Sequence, residues 1–270
     1  MGKMIPASPL HYSKAPIVEA VLDLRVTPAI PLPSLEAICS QFQESYPNRE
    51  NIYFLAGEFA FDAKTQATST VGSQRHVGYK LSSEDARQIV QFRSDGFAYS
   101  VRAPYGTWEE FVAEAQRLWA VYASQGVTQI VRAAVRYINR LAVPKPTDAD
   151  SSIQLSRYLQ TVPQVSPAYP QQTLASFFCQ LQMSQTDLDA MLILNIAPAP
   201  PNFPVSPLLY GTADDAIGLI VDIDLFAERS QNPWMVTDSD ALWNYMNRLR
   251  VRKNEIFEGT ITDETRSLIQ

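Results

Sequence analysis

Hydrophobic and polar residues alternate along residues 16–26, near the start of the sequence. Successive side chains of a strand point to opposite faces of a sheet, so this period of two predicts a strand with one apolar and one polar face. The polar face carries three charged residues, Glu19, Asp23 and Arg25. Such a strand is typical of an antiparallel sheet of which only one face is covered.

Residues 129–142 show the same alternation, and here Arg132, Arg136 and Arg140 share the polar face. We expect the two strands to lie side by side at the centre of one sheet. In that arrangement Glu19 or Asp23 comes within salt-bridge reach of the arginines. Opposite charges on neighbouring strands stabilise a sheet by about 0.2–1 kcal/mol per pair.

Helical spacing of apolar residues predicts further elements. A helix is expected over residues 34–46 with Ser34 as its N-cap, and a second begins at a capping box, Thr107-x-x-Glu110, and ends at Gly126. A long helix is expected over residues 239–258 and a short one over 151–162. The remaining alternating or apolar runs predict strands, at residues 51–62, 76–81, 87–94, 97–102, 176–184, 191–200 and 216–228.

Asp95-Gly96 separates two of these strands and predicts a tight hairpin turn, with glycine supplying a positive φ. The predicted order is β-α-β4-α followed by β-α-β3-α. We therefore expect an α+β fold made of a curved antiparallel sheet with helices on one side, in two related halves, 1–143 and 144–270. The last strand of the first half is shared with the second. This order is similar to that of TATA-binding-protein halves or of helix-grip proteins.

Composition narrows the classes of function. The 270 residues are 46% hydrophobic and 19% charged, and the net charge of −6 opposes sequence-independent binding to nucleic acid. No apolar leader and no apolar run of membrane-spanning length is present, which predicts a cytoplasmic protein with no membrane contact. Cys39 and Cys179 lie among apolar residues, as free thiols in a reducing compartment do.

Few residues suggest catalysis. The two histidines, His11 and His76, stand outside any metal-ligand or triad spacing, and no glycine-rich phosphate loop occurs, so we expect no cofactor and regard an enzyme as the less favoured class. Asp222 and Asp224 share a strand face. They either pair with basic residues of a neighbouring strand or act with Glu19 and Asp23 as the carboxylates of a metal-dependent enzyme.

A basic cluster follows late in the last long helix: Arg248, Arg250, Arg252 and Lys253. Positive charge there complements the helix dipole. Alternatively, the cluster forms a surface for an acidic partner.

Three segments carry a family resemblance: APIVEAVLDLRV, RYINRLAV and NEIFEGTITDETRSLI. In this order and at this chain length they resemble a sporadically distributed bacterial family with no assigned activity. The family usually has a second proline where this chain has Ala15. The resemblance implies mobile gene neighbourhoods, such as phage-defence or toxin-linked loci, and it assigns no catalytic residue.

The leading hypothesis is therefore a non-enzymatic protein-binding or adaptor component whose partner is another protein. The first alternative is a small-molecule or nucleotide binder that uses the concave sheet face, where the arginines form a surface that reads anions. The second is the metal-dependent enzyme. The oligomeric state stays open.

Overall fold

A computed structural model describes residues 12–62, 67–145, 153–170, 174–207 and 216–270, with the backbone alone at 56–62 and 67–71. His11 and most of the segment before the predicted short helix lie outside these residues. Within them the protein is an α+β fold with one curved, open, antiparallel sheet.

Ten strands form this sheet within the described ranges. They are β1 Ile17–Thr27, β2 Asn48–Asp62, β3 Ala67–Ser82, β4 Gln88–Arg93, β5 Gly96–Arg102, β6 Gln129–Pro144, β7 Cys179–Gln185, β8 Ala190–Pro198, β9 Ala216–Glu228 and β10 Trp234–Met235. The strand order is β2-β3-β4-β5-β1-β6-β9-β8-β7, and the short β10 pairs with the start of β6. Strands β2 and β7 are therefore the outer strands.

The helices are α1 Leu32–Gln41, α2 Trp108–Ala123, α3 Ser239–Thr260 and α4 Asp263–Ile269. They contact β3, β5, β6 and β9 and cover the apolar face of the sheet, so the core lies between helices and sheet. The opposite face, which we call the open face, carries the charged residues of β1 and β6.

The predicted pairing of the two charged strands is confirmed. Strands β1 and β6 are antiparallel neighbours at the middle of the sheet, with Val21 opposite Arg136 and Arg25 opposite Arg132. Every second residue of β1, from Val18 to Val26, is buried against the helices. A shift of one residue would turn this apolar set to water, so the alternation itself fixes the orientation of the strand.

Strand order repeats on the two sides of this central pair. On one side the order β3-β4-β5 ends beside β1, and on the other β7-β8-β9 ends beside β6, each followed by a long helix. The first side has one extra strand, β2. The halves 1–143 and 144–270, and the likeness to TATA-binding-protein halves or helix-grip proteins, stay predictions.

Two helix starts follow different rules. The capping box of α2 is confirmed: the Thr107 hydroxyl accepts from the amide of Glu110 at 3.2 Å, and the Glu110 carboxylate accepts from the amide of Thr107 at 3.0 Å. For α1 the prediction of a Ser34 N-cap is wrong. That helix begins at Leu32 and has Pro33 in its first turn. Proline is tolerated there because the backbone N–H that it lacks would have no acceptor within the helix.

The short helix predicted over residues 151–162 is also wrong. In the described part of that stretch, residues 153–162, the only helical element is a 3₁₀ turn, Leu155–Arg157. The next residues are held by the link between α3 and α4, because the amide of Gln160 donates to the Thr260 carbonyl at 2.8 Å and Leu159 pairs with Ile261. Tertiary contacts therefore override the local helical spacing.

The hairpin between β4 and β5 is confirmed, but the expected role of its glycine is wrong. The turn is Ser94-Asp95, and Gly96 is the first residue of β5, opposite Arg93, without a positive φ. Glycine is needed here for space. A Cβ at Gly96 would lie 2.6 Å from the Leu24 carbonyl oxygen and 3.0 Å from Arg93 Nη2.

We expect Gly96→Ala to lower the free energy of unfolding by about 1 kcal/mol, because the added methyl forces β1 and β5 apart. Gly259→Ala is the matched control, since a Cβ there has nothing within 4 Å and the site lies in a helix. Alanine should stabilise that helix. Urea unfolding followed by circular dichroism measures both, and an unchanged Gly96→Ala midpoint would contradict the crowding argument.

Candidate functional site

The open face presents ion pairs that cross the three central strands. Strand β6 lies between β1 and β9, so its arginines have carboxylates on both sides. Alternation in the sequence identified these side chains on β1 and β6. It did not show that β9 is the other neighbour of β6.

Asp23 is the centre of the first group. Its carboxylate accepts a hydrogen bond from Arg132 of β6 at 2.8 Å and another from Arg93 of β4, and Arg25 Nε lies 3.6 Å away. The predicted contact between Asp23 and Arg132 is therefore present. Because one carboxylate joins β4, β1 and β6, the group ties the two sides of the sheet together.

Asp222 is the centre of the second group. Arg136 binds it with two parallel hydrogen bonds, from Nε at 2.8 Å and from Nη2 at 2.7 Å, and Asn195 donates to it at 3.1 Å. Gln180 donates in turn to Asn195 at 2.8 Å, which carries the network to β7. The hydrogen bonds to Asp222 raise the pKa of the Arg136 guanidinium above its ordinary value. Asp222 is buried, whereas Arg136 is half-exposed.

Asp224 differs from both. It lies opposite Arg136 in the sheet register, yet its carboxylate makes no hydrogen bond or ion pair within the described chain. Burial raises the pKa of its carboxyl above the ordinary value, against the opposing effect of Arg132 and Arg136. A depression of about 640 Å³ on the open face is lined by Asp224, Arg132, Arg136, Asp23 and Glu228. It is large enough for a small polar ligand.

The other residues predicted on this face make no hydrogen bond to Asp23 or Asp222. Glu19 lies opposite Ile138 and forms no ion pair within the described ranges. Arg25 binds Asp95 at 2.8 Å at the rim. Burial lowers the pKa of Arg140, whose Nε is buried and has no acceptor among the described residues.

No three His, Cys, Asp or Glu side chains in the described ranges approach one another as metal ligands do. Asp23 and Asp222 are each bound to arginine, so either carboxylate would have to give up that partner to bind a cation. Of the four carboxylates proposed for a metal-dependent enzyme, Asp23 and Asp222 therefore act, in this structure, as partners of arginine.

The basic cluster of α3 is not one surface. Arg252 binds Asp187 at 2.6 Å and Glu255 at 2.8 Å, and Arg248 donates to the Asp187 carbonyl. Lys253 is only 8% exposed, and its Nζ lies 3.9 Å from the centroid of the Tyr137 ring.

Placing Lys253 on a partner surface is therefore wrong. It follows buried Leu249 by four residues and precedes Phe257 by four, so it lies on the helical stripe that faces the core. Because its neighbours in sequence are charged, Lys253 was assigned to the surface with them.

The thiols Cys39 and Cys179 are unpaired, with Cys39 buried and Cys179 partly exposed.

Sequence reasoning missed a projecting feature. Strand β3 pairs with β4 only through Gly78–Ser82, so Tyr53–Asp62 and Ala67–His76 pair with each other and with no third described strand. We call this two-stranded segment the ribbon. At about 3.3 Å per residue it extends roughly 30 Å. Three consecutive apolar side chains are exposed at its base: Tyr53 at 47%, Phe54 at 55% and Leu55 at 73%.

Sequence reasoning also missed a pocket of about 840 Å³ on the helix side of the sheet, lined by tyrosines and by a carboxylate–arginine pair. Tyr46 donates to Glu114 at 2.6 Å, and Tyr99 donates to Gln88 at 3.1 Å. Arg117 binds the same Glu114 with two hydrogen bonds. Burial raises the pKa of Tyr99, so its hydroxyl stays protonated and can act as a donor.

No family model matches the sequence, and no curated protein is significantly similar to it. In the described part of the chain, none of the helices has the length and apolar character that crossing a membrane requires.

Proposed function

We propose that this protein is a protein-binding component, and that the ribbon carries its contact surface. The observation that supports this is that three consecutive large apolar residues, Tyr53, Phe54 and Leu55, are exposed on both faces of a segment that projects beyond the sheet. A single exposed apolar residue is ordinary, but several close together are typical of interaction sites. The resemblance to a bacterial family further suggests a phage-defence or toxin-linked setting.

The chemistry of the ribbon favours an apolar groove in the partner. Tyr53 and Leu55 point to one side of β2 and Phe54 to the other, because neighbouring side chains in a strand alternate. The opposing strand offers Gln74 and Arg75 at Leu55 and Phe54. Large apolar side chains edged by polar ones match the usual composition of protein interfaces.

The open face is the weaker candidate for the contact surface. Its central arginines are bound by carboxylates of the same chain, so a partner anion would first have to displace Asp23 or Asp222. Charge pairs of this kind fix how strands meet, and they leave little unpaired charge for recognition. The ribbon needs no such exchange.

The test compares partners captured by the tagged full chain in its native cells. We expect a Phe54→Ser/Leu55→Ser variant to lose at least about tenfold of one captured protein, which corresponds to about 1.4 kcal/mol of binding. Val251→Ser is the matched control, because Val251 is also exposed but lies on α3. Titration calorimetry with the purified partner should then show the same loss.

Retention of every captured protein by the ribbon variant would overturn the proposal. Loss of a partner from an Arg136→Ala variant alone would move the contact surface to the open face. Phe54, Leu55 and Val251 lie on the surface away from special contacts, so their variants should be as stable as the normal chain, whereas Arg136→Ala is expected to be less stable. Thermal unfolding shows that each variant is folded at the temperature of the capture experiment.

The helix-side pocket supports a second candidate, a small-molecule binder. Protonated tyrosines and the Glu114–Arg117 pair surround one volume of the size that drug-sized ligands occupy. A ligand that raises the unfolding temperature of the normal chain, but not of Tyr99→Phe, would support this candidate. Equal shifts for both chains would contradict it.

A further inference from the structure

Strand β7 ends the sheet opposite the ribbon, and its outer edge makes no backbone hydrogen bond within the described chain. Its residues, Cys179–Gln185, read CQLQMSQ and include neither a charge nor a proline. Proteins usually protect an edge strand with lysine, proline or a bulge, because an open edge pairs with other strands. The other outer strand, β2, has Arg49 and Glu50 near its start.

Exposed apolar side chains occur in β7 and in the residues just before it. Leu174, Phe178 and Met183 are 43%, 69% and 38% exposed. Leu181 and Cys179 pack partly against the core, so they mark the helix-covered side of β7. Gln180, which bonds Asn195, marks the open-face side together with Gln182 and Ser184.

We propose that β7 pairs antiparallel with β7 of a second copy of this chain, about a twofold axis at Gln182. This register places Gln180 opposite Ser184 on the open face and Leu181 opposite Met183 on the helix-covered face. Polar residues therefore meet on the open face and Leu181 meets Met183 on the helix-covered face, where Cys179 and Gln185 form the outermost pair, and no two charges of the same sign come together. All seven residues of the strand are paired.

Other registers fit less well. An axis at Leu181 or Met183 keeps the two faces separate but leaves part of the strand unpaired. An axis that passes between two residues would place Leu181, on the helix-covered face, opposite a polar residue of the open face. Directly opposed residues of antiparallel strands lie on the same face of a sheet, so this register is excluded. The axis at Gln182 is thus the register that the sequence of β7 favours.

The pairing joins two sheets into one with the helices of both copies on the same side. It leaves β2 and the ribbon at the two far ends. The proposal does not depend on the function of the ribbon, because it concerns the opposite edge. If both hold, the dimer presents two ribbons and gains affinity for a partner that has two sites.

The experiment is analytical ultracentrifugation of the full chain from about 1 to about 100 μM, since a contact this small gives a transient dimer. We expect a mass that rises toward twice that of one chain. Gln182→Lys and Gln182→Glu should each weaken dimerisation at least about tenfold, because two like charges then face each other across the axis. An equimolar mixture of the two variants should dimerise again.

Asn51→Lys is the control, because it adds the same charge to an exposed site on the opposite edge. It should dimerise as the unmodified chain does. A chain that stays monomeric at 100 μM overturns the proposal, and so does a dimer that all variants leave intact. Recovery in the mixture identifies the register, because only an axis at Gln182 places lysine opposite glutamate.

Discussion

We expect Arg136→Ala to lower the free energy of unfolding by about 3 kcal/mol. The substitution removes both hydrogen bonds to Asp222 and leaves a buried carboxylate with only Asn195 as a donor. Breaking a buried pair by removing one partner costs about 3–5 kcal/mol, and we take the lower end because Arg136 is half-exposed. Guanidinium chloride unfolding at pH 7 measures the loss.

A double-mutant cycle separates the pair from its surroundings. Asp222→Ala added to Arg136→Ala should restore part of the stability, because the unpaired buried charge is gone, with a coupling above about 1.5 kcal/mol. The cycle of Glu19→Ala with Arg136→Ala should give less than about 0.5 kcal/mol, since these two form no ion pair. Arg25→Ala, which removes the exposed ion pair with Asp95, is the matched control for Arg136→Ala. Equal couplings in the two cycles would show that Asp222 is not the specific partner.

This contrast also shows how far the sequence alone could reach. Alternation was enough to place Glu19, Asp23 and the arginines on one face, and the repeated order of elements, in which each of these strands opens one half, predicted β1 and β6 as neighbours. It could not decide which carboxylate each arginine binds. The partner of Arg136 comes from β9, whose position beside β6 depends on contacts between residues far apart in the sequence, 86 positions for Arg136 and Asp222.

The sequence pattern also could not show features that depend on the relative lengths of neighbouring strands or on how distant elements pack together. The strand containing Tyr53–Leu55 was predicted, but a local pattern does not show that a neighbouring strand is shorter, so the ribbon escaped notice. The pocket at Tyr46 and Tyr99 needs α2 to lie across β4 and β5. Lys253 was assigned to the surface from its type, although its spacing from Leu249 and Phe257 already placed it on the apolar stripe.

The central ion pairs and the outer strands of the sheet therefore have separate roles. The ion pairs at Asp23 and Asp222 hold β4, β1, β6, β9 and β8 in register, since each carboxylate binds groups from more than one strand. In the described part of the chain, no further strand pairs with the outer sides of β2 and β7. A centre cross-linked by ion pairs, with outer strands that no described strand covers, is the arrangement that both proposals use.

Lys253→Met should stabilise the protein by about 2 kcal/mol at pH 7. Burial lowers the pKa of the Lys253 amine from 10.5 to about 7, with nearby Arg250 acting in the same direction and Glu258 opposing it. The contact with the Tyr137 ring favours the charged amine and offsets part of the burial cost. Methionine has a similar length and no charge to desolvate, so it removes the cost and keeps the packing.

The dependence on pH gives this prediction its sharpest test. Between about pH 7 and 10.5 the unfolded chain holds a proton on Lys253 that the native chain has released, so the stability of the normal protein rises with pH across this window. The stability of Lys253→Met lacks that rise, so its excess over the stability of the normal protein should shrink as the pH approaches 10.5. Lys80→Met, at the Glu50 ion pair on the sheet, is the matched control and should change little. A Lys253→Met advantage that stays constant from pH 7 to 10 would mean that the amine remains protonated in the folded protein, and that the Tyr137 ring and Glu258 outweigh its burial.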